Sequence, residues 1–242
     1  MTDKQKDTQH IKLYAGPEHA CGYLEDQTSI SVFADPSMDF DNNLYSALSR
    51  LGFRRSGNHV YRPQCNACNA CWTYRVISQS FTPSKSQKRI LKNLSELRTE
   101  LATAKANAED YELYEKYICS RHQDGDMYPP SFQQYDEFLF SEWCDTLLLK
   151  AKDPDGNLVA VMALDILDDG LSAVYSFFDL ESRYKSLGVY LILKTIELCQ
   201  RQKMPYCYLG YYIQNCGKMS YKSHYQPAEV FVNNRWQPFD KS

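Results

Sequence analysis

The sequence predicts an α+β fold: a mixed sheet with flanking helices, preceded by a small cysteine-containing N-terminal subdomain. Three observations predict it. Apolar residues at helical spacing give way to period-two alternation from Trp143 onward. Two tight-turn signals, Asp153-Pro154-Asp155-Gly156 and Asp168-Asp169-Gly170, punctuate the alternating half. Ahead of the helices lies Gly52–Val76, which reads GFRRSGNHVYRPQCNACNACWTYRV and holds four arginines, three evenly spaced cysteines and no Asp or Glu.

Taken in order, residues 1–10 are polar and read as a flexible tail. Residues 41–52 form a short amphipathic helix that Asp41 caps and Gly52 ends. Val60-Tyr61 is a strand, and so is Cys71–Ser78, which is rich in β-branched and aromatic residues. Ser84-Lys85-Ser86-Gln87 is a capping-box pattern that opens a helix from about Lys85 to Lys105, with Leu91, Leu94, Leu97 and Leu101 on one face. Further helices are expected over about Glu109–Arg121 and Phe132–Phe140. Strands then follow at Trp143–Lys152, Leu158–Leu167 and Leu171–Asp179. An apolar helix covers Ser186–Lys203, Pro205–Tyr211 is another strand, and Pro227–Val232 with Arg235–Gln237 forms a last hairpin around Asn233-Asn234. Helices, three antiparallel strands, a helix and a strand make the order of a GNAT-like, or acyltransferase, fold. The division is 11–83 for the cysteine-containing subdomain and 84–242 for the GNAT-like domain.

The net charge of −3 conceals segregation. Residues 54–98 carry nine basic side chains and one acidic, and 183–222 carry seven and one. Between them, 99–182 carry five basic and eighteen acidic. Two basic blocks facing one way would make a positive surface on an acidic protein, and interleaved aromatics suit a surface that receives phosphates and stacks bases. Ordinary solvated faces are the alternative. No apolar run approaches the ~18 residues of a membrane helix. Nine cysteines and no signal peptide point to free thiols in a reducing, cytoplasmic compartment.

Coenzyme A acyltransferases of this fold hold the pyrophosphate on a glycine-rich turn resembling R-x-x-G-x-G. The matching stretch, Arg183 to Val189, has Gly188 alone. Side chains there obstruct the approach of backbone N–H groups to an anion, which counts against coenzyme A. Cys65, Cys68 and Cys71 form C-x2-C-x2-C, with Cys21 upstream. Zinc or an iron–sulfur cluster is one reading of these four, and free thiols lining a core or pocket is the other.

GFRRSG at 52–57, VYRP at 60–63, the cysteine triplet, YRV at 74–76 and FTPSKSQKR at 81–89 resemble the arginyl-tRNA–protein transferase family. So do YLGYYI at 208–213 and CGKMSYK at 216–222. The resemblance runs from about Leu13 to Trp236. The short chain and its extra cysteines are similar to the bacterial branch. Leu24 stands where the eukaryotic branch has the last cysteine of C-G-Y-C, and Ala70-Cys71 where it has two adjacent cysteines, so that branch's metal site does not carry over intact. Glu25 and Gln27 depart from the bacterial Y-L-P-x-R pattern.

The resemblance implies transfer of leucine from leucyl-tRNA to proteins beginning with Asp or Glu, with no cofactor required. Arginine as donor, a coenzyme A-dependent N-acyltransferase and a non-catalytic RNA-binding protein with a zinc knuckle are the competing readings. Under the main reading Arg54, Arg55, Arg62, Lys85, Lys88 and Arg89 hold tRNA phosphates or the acidic acceptor side chain. Ser56, Tyr61 and Gly210 lie in the same motifs and are expected at the substrate. Arg75 is expected to face the pocket as a bidentate partner of the acceptor carboxylate. Tyr175, Phe177 and Phe178 with Leu209 and Tyr211 are candidates for the leucyl pocket, against plain sheet core. Tyr175, Tyr211 and Asp179 are the catalytic candidates. Asp179 either orients or deprotonates the amine, or simply closes a turn. Lys218 and Lys222 are expected against the acceptor-stem end.

Overall fold

The computed structural model describes residues 11–214 and 216–240. The N-terminal segment contains β1 (Leu13–Ala15), β2 (His19–Ala20), β3 (Thr28–Ser29), β4 (Ser31–Ala34), α1 (Asn42–Arg50) and a hairpin of β5 (Arg54–Ser56) and β6 (His59–Pro63). Next come β7 (Trp72–Ile77), α2 (Lys85–Asn93), β8 (Arg98–Thr103), α3 (Ala108–Arg121) and α4 (Phe132–Leu139). The remainder is β9 (Thr146–Lys152), β10 (Leu158–Leu167), β11 (Gly170–Phe178), α5 (Leu187–Arg201), β12 (Tyr206–Tyr212), β13 (Ala228–Val232) and β14 (Arg235–Pro238).

The principal sheet has eight strands in the order β14-β13-β7-β12-β11-β10-β9-β8. All of its pairings are antiparallel except β11 with β12. β10 shows why helices must cover both faces. Met162 and Leu164 pack with Leu187, Leu191 and Ile196 of α5, whereas Val161 and Ala163 pack with Tyr114 and Ile118 of α3. Alternate residues point to opposite faces, so a strand buried on both sides reads as a nearly unbroken apolar run. A four-stranded sheet, β1-β4-β6-β5, carries the N-terminal core of Val32, Tyr45, Leu48 and Phe53. Leu167 and Tyr208 reach into that core from the larger sheet. β7 belongs in sequence to the cysteine-containing segment, yet it lies between β12 and β13.

Local signals place the helices well. Asp41 Oδ1 accepts from Leu44 N at 2.7 Å, and Ser84 and Gln87 close the capping box at α2. The helix expected over 85–105 is a correction. α2 stops at Asn93, Leu94 becomes its C-cap, and Arg98–Thr103 joins the sheet edge against β9. The leucine spacing served two elements. Leu94 and Leu97 are buried beneath the turn, whereas Leu101 is exposed on the edge strand.

Candidate active site

β11 and β12 pair only at Gly170↔Tyr206, Leu171↔Cys207 and Ser172↔Tyr208. They then part, although β11 continues to Phe178 and β12 to Tyr212. Ala173, Val174, Tyr175 and Ser176 are all half-buried, β11 bulges at Val174 against β10, and this stretch has no partner in β12, which marks an edge left open inside the sheet. At the same level β12 shifts register against β7 between Tyr208 and Gly210. Gly210 is left-handed there, with φ of 81°, a conformation glycine adopts without a steric penalty.

Arg54 lies in the opening. It comes from β5, opposite Tyr61 of β6. Its Nη2 donates to Ala173 O at 2.7 Å, and a Cβ at Gly210 would stand only 3.3 Å from its Nη1. Nη1 is buried and has no hydrogen-bond partner. Lys222, on the 3-10 turn Ser220–His224, is the second cation. Its Nζ donates to the carbonyl of Tyr211, the residue after Gly210, and contacts Met219 Sδ at 3.3 Å. Arg54 is 8% exposed and Lys222 4%. Burial first, and then the charge of Arg54, pulls Lys222 down to about 7. Among the described residues no carboxylate pairs with either cation. The ring of Tyr221, 40% exposed, has its centre 5.7 Å from Lys222 Nζ. Buried cations without a counter-charge cost stability, and such costs concentrate at functional sites.

The neighbouring arginines are differently employed. Arg55 is buried and grips Asp165, with Nε to Oδ2 at 2.8 Å and Nη2 to Oδ1 at 2.6 Å. Burial opposes its charge, but Asp165 outweighs burial and raises it. Arg75 is clamped between the rings of Tyr206 and Trp236, 3.5 and 3.8 Å from its Cζ, and binds Glu229 at 2.6 and 2.8 Å. Both are internal struts. The expectations that Arg55 meets substrate and that Arg75 faces the pocket give way to these pairings. Phe177 and Leu209 are buried in the core. Asp179 Oδ1 accepts from Glu181 N at 2.9 Å and closes a turn. Lys222 is internal and does not present itself as a surface contact, whereas Lys218 is exposed.

The remaining candidates divide between packing and surface. Tyr175, a catalytic expectation, is instead packed among Tyr114, Tyr117 and Phe138 beneath α3 and α4, and its buried hydroxyl has no partner. Phe178 is half-buried near it. The Tyr211 hydroxyl donates to Gly52 O at 3.1 Å, which joins β12 to the N-terminal segment. Ser56 lines a shallow cleft against Glu137 and Phe138 of α4. Arg62 lies over the Phe53 ring at 4.9 Å. Lys85, Lys88 and Arg89 are exposed on α2 and, among the described residues, form no ion pair. Sequence reasoning passed over Asp165 and Tyr221. A lone carboxylate inside the apolar run LVAVMALDIL was the available signal for Asp165, whereas Tyr221 lies in the 216–222 motif without a role of its own.

Cys21, Cys65, Cys68 and Cys71 line one cavity of about 800 Å³, together with Tyr61 and Tyr211. Burial and the neighbouring thiols push Cys71 up to about 12. Among the described residues no three Cys, His, Asp or Glu side chains converge closely enough to hold an ion. Among the described residues no helix is long and apolar enough to cross a membrane.

Comparison with known proteins places this arrangement. Residues 19–89 match the family model "Arginine-tRNA-protein transferase, N terminus", and residues 109–232 match its C-terminus counterpart. The chain is 49% identical to the aspartate/glutamate leucyltransferase of Teredinibacter turnerae, over 96% of both chains. It is 46% identical to that of Hahella chejuensis, over 93% of this chain and 96% of the other. Among solved structures it is similar to L-PGS from Bacillus licheniformis, with a TM-score of 0.53 and 14% identity over 70% of this chain and 58% of that one, a likeness of fold. With both terminal models matched and near-half identity along almost its whole length, the chain belongs to the arginine-tRNA-protein transferase family.

Proposed function

We propose that this protein, on a GNAT-like fold, transfers leucine from leucyl-tRNA to the α-amine of proteins that begin with Asp or Glu, marking them for N-degron degradation in the cytoplasm. Near-full-length identity to relatives named aspartate/glutamate leucyltransferase carries the reading. The site chemistry agrees with it. Coenzyme A is disfavoured because α5 offers Gly188 alone near its start, and a Cβ there would come within 3.2 Å of the Phe178 ring, so this glycine serves packing. Arginine as donor is disfavoured because the relatives of near-half identity are named leucyltransferases.

The reaction is aminolysis of an ester. The acceptor nitrogen attacks the leucyl carbonyl carbon, a C–N bond forms, the C–O bond to the ribose breaks, and the amine proton ends on the ribose hydroxyl. An α-amine titrates near 7.7–8.0, so a fair fraction is already nucleophilic at neutral pH. Positioning and oxyanion stabilisation therefore dominate, and no cofactor is required. We assign the leucyl group to the half-buried ring faces of Tyr175 and Phe178 on β11. Lys85, Lys88 and Arg89 are free to meet phosphates.

Supplied with radiolabelled leucyl-tRNA, the protein is expected to label peptides starting with Asp or Glu and to leave Ala- and Arg-starting peptides unlabelled. Absence of label on the acidic peptides, or label from arginyl-tRNA alone, overturns the reading. Replacing Lys88 and Arg89 together by alanine is expected to weaken tRNA binding and to reduce the slope of log K against log salt by about 2. A filter-binding series over salt concentration checks this, and an unchanged slope moves the tRNA surface elsewhere.

A further inference from the structure

The opening between β11 and β12 holds two cations and an unused donor. Arg54 Nη1 is buried without a partner, and Nη2 is spent on Ala173 O. Lys222 spends one bond on Tyr211 O and makes a weak contact with sulfur. The charged and titratable neighbours that bear on Lys222 are Arg54, Cys216 and Cys71, with no acid among them. The two cations address consecutive residues of β12, Gly210 and Tyr211. Gly210 keeps the space next to Nη1 clear, because a side chain there would be both strained and crowded.

We propose that Arg54 Nη1 and Lys222 Nζ together form the subsite that reads the side-chain carboxylate of the acceptor's first residue, reached past Tyr221. This rests on the transfer reading above and names the residues that impose its selectivity for an acid. A polynucleotide phosphate is a poor occupant, since both cations are almost fully buried whereas exposed cations stand free on α2. A short side chain ending in a carboxylate matches two buried cations that, among the described residues, no carboxylate pairs. It would supply the missing acceptor to Nη1 and the missing counter-charge to both cations. An amide of the same shape would accept one hydrogen bond but leave both charges uncompensated, so discrimination between Glu and Gln is the property assigned to this pair.

The test compares Glu-starting and Gln-starting peptides of otherwise identical sequence. Transfer is measured with saturating leucyl-tRNA, and peptide binding is measured separately by calorimetry on the full chain without tRNA. Arg54→Met is expected to lower kcat/KM and affinity for the Glu peptide about a hundredfold, and Lys222→Met about tenfold or more. The Gln peptide is expected to change less than about threefold, so the preference collapses. Equal losses on both peptides, in protein whose melting transition is intact, overturn the proposal and reassign Arg54 to the donor ester. An unchanged Glu preference in both variants also overturns it. If Arg54→Met does not fold, Lys222→Met and Arg54→Lys decide the question, the latter being expected to keep part of the preference. A wild-type chain that binds the Glu peptide selectively but transfers nothing defeats the transfer reading and leaves the subsite standing.

Discussion

Arg55→Met is expected to remove about 3–5 kcal/mol of stability and to lower the melting temperature by roughly 10 °C. Arg55 and Asp165 each have side chains fully shielded from solvent, and the pair is bidentate. Arg55 Nη2 also donates to Leu139 O at 2.8 Å and Thr146 Oγ1 at 3.1 Å. Asp165 in turn accepts from Tyr45 at 3.0 Å and from Thr146 at 2.8 Å. One ion pair thereby ties β5, α1, the end of α4, β9 and β10 together. Methionine would leave the Asp165 charge buried with hydroxyl partners alone, which is the costly way to break such a pair. Adding Asp165→Asn to Arg55→Met is expected to recover part of the loss, because the orphaned charge disappears. Thermal and urea denaturation of the two variants would show it. A melting temperature within about 2 °C of wild type for Arg55→Met would mean that the pair does not hold the segments together.

Lys222→Met is expected to do the opposite to stability while impairing transfer. Lys222 titrates near 7 in the folded chain, below its ordinary value of 10.5, because burial and then Arg54 disfavour its charge. Below pH 7 the folded protein must carry that buried charge, so the penalty is full there. Between 7 and 10.5 the folded chain has shed the proton that the unfolded chain still binds, and stability rises with pH across this window. The full penalty is about 4–5 kcal/mol, of which an orphaned Tyr211 carbonyl in the variant would give back about 2. Lys222→Met is therefore expected to gain about 2–3 kcal/mol near pH ~6, with the gain fading to roughly zero near pH ~9. A gain independent of pH, or a loss at pH ~6, would contradict an uncompensated cation at this position. Greater stability with less activity is the trade expected of a site held unsatisfied for its ligand.

Much of the fold was legible because its signals are local. The capping box at Ser84, the turns at 153–156 and 168–170, and the Asn233-Asn234 hairpin all depend on residues within a few positions of one another. The basic cluster was legible only as composition. Four arginines without a nearby acid look alike in sequence, but Arg55 meets Asp165 110 positions away and Arg75 meets Glu229 154 positions away. Arg62 stacks on Phe53, and Arg54 alone of the four is left with a buried, unpartnered nitrogen. Charge counting finds the arginines, and only the topology decides which of them is free. The leucines between 91 and 101 failed for a similar reason, since the pairing with β9 that draws Arg98–Thr103 into a strand is distant in sequence.

The position of β7 sets an order of events at the ribosome. Trp72–Ile77 is made early, but its sheet neighbours come late, with Arg75 bonding to Tyr208 across 133 residues and to Glu229 across 154. A strand that waits so long cannot be paired while the nascent chain is short, and folding dominated by such distant pairings is slow. The bulge at Gly210, the Arg54 opening and the Lys222 turn all adjoin the last strands to arrive. On the proposed reading, the acceptor subsite assembles only once β12 and the turn that carries Lys222 have been synthesised, so a nascent chain shorter than that would lack it.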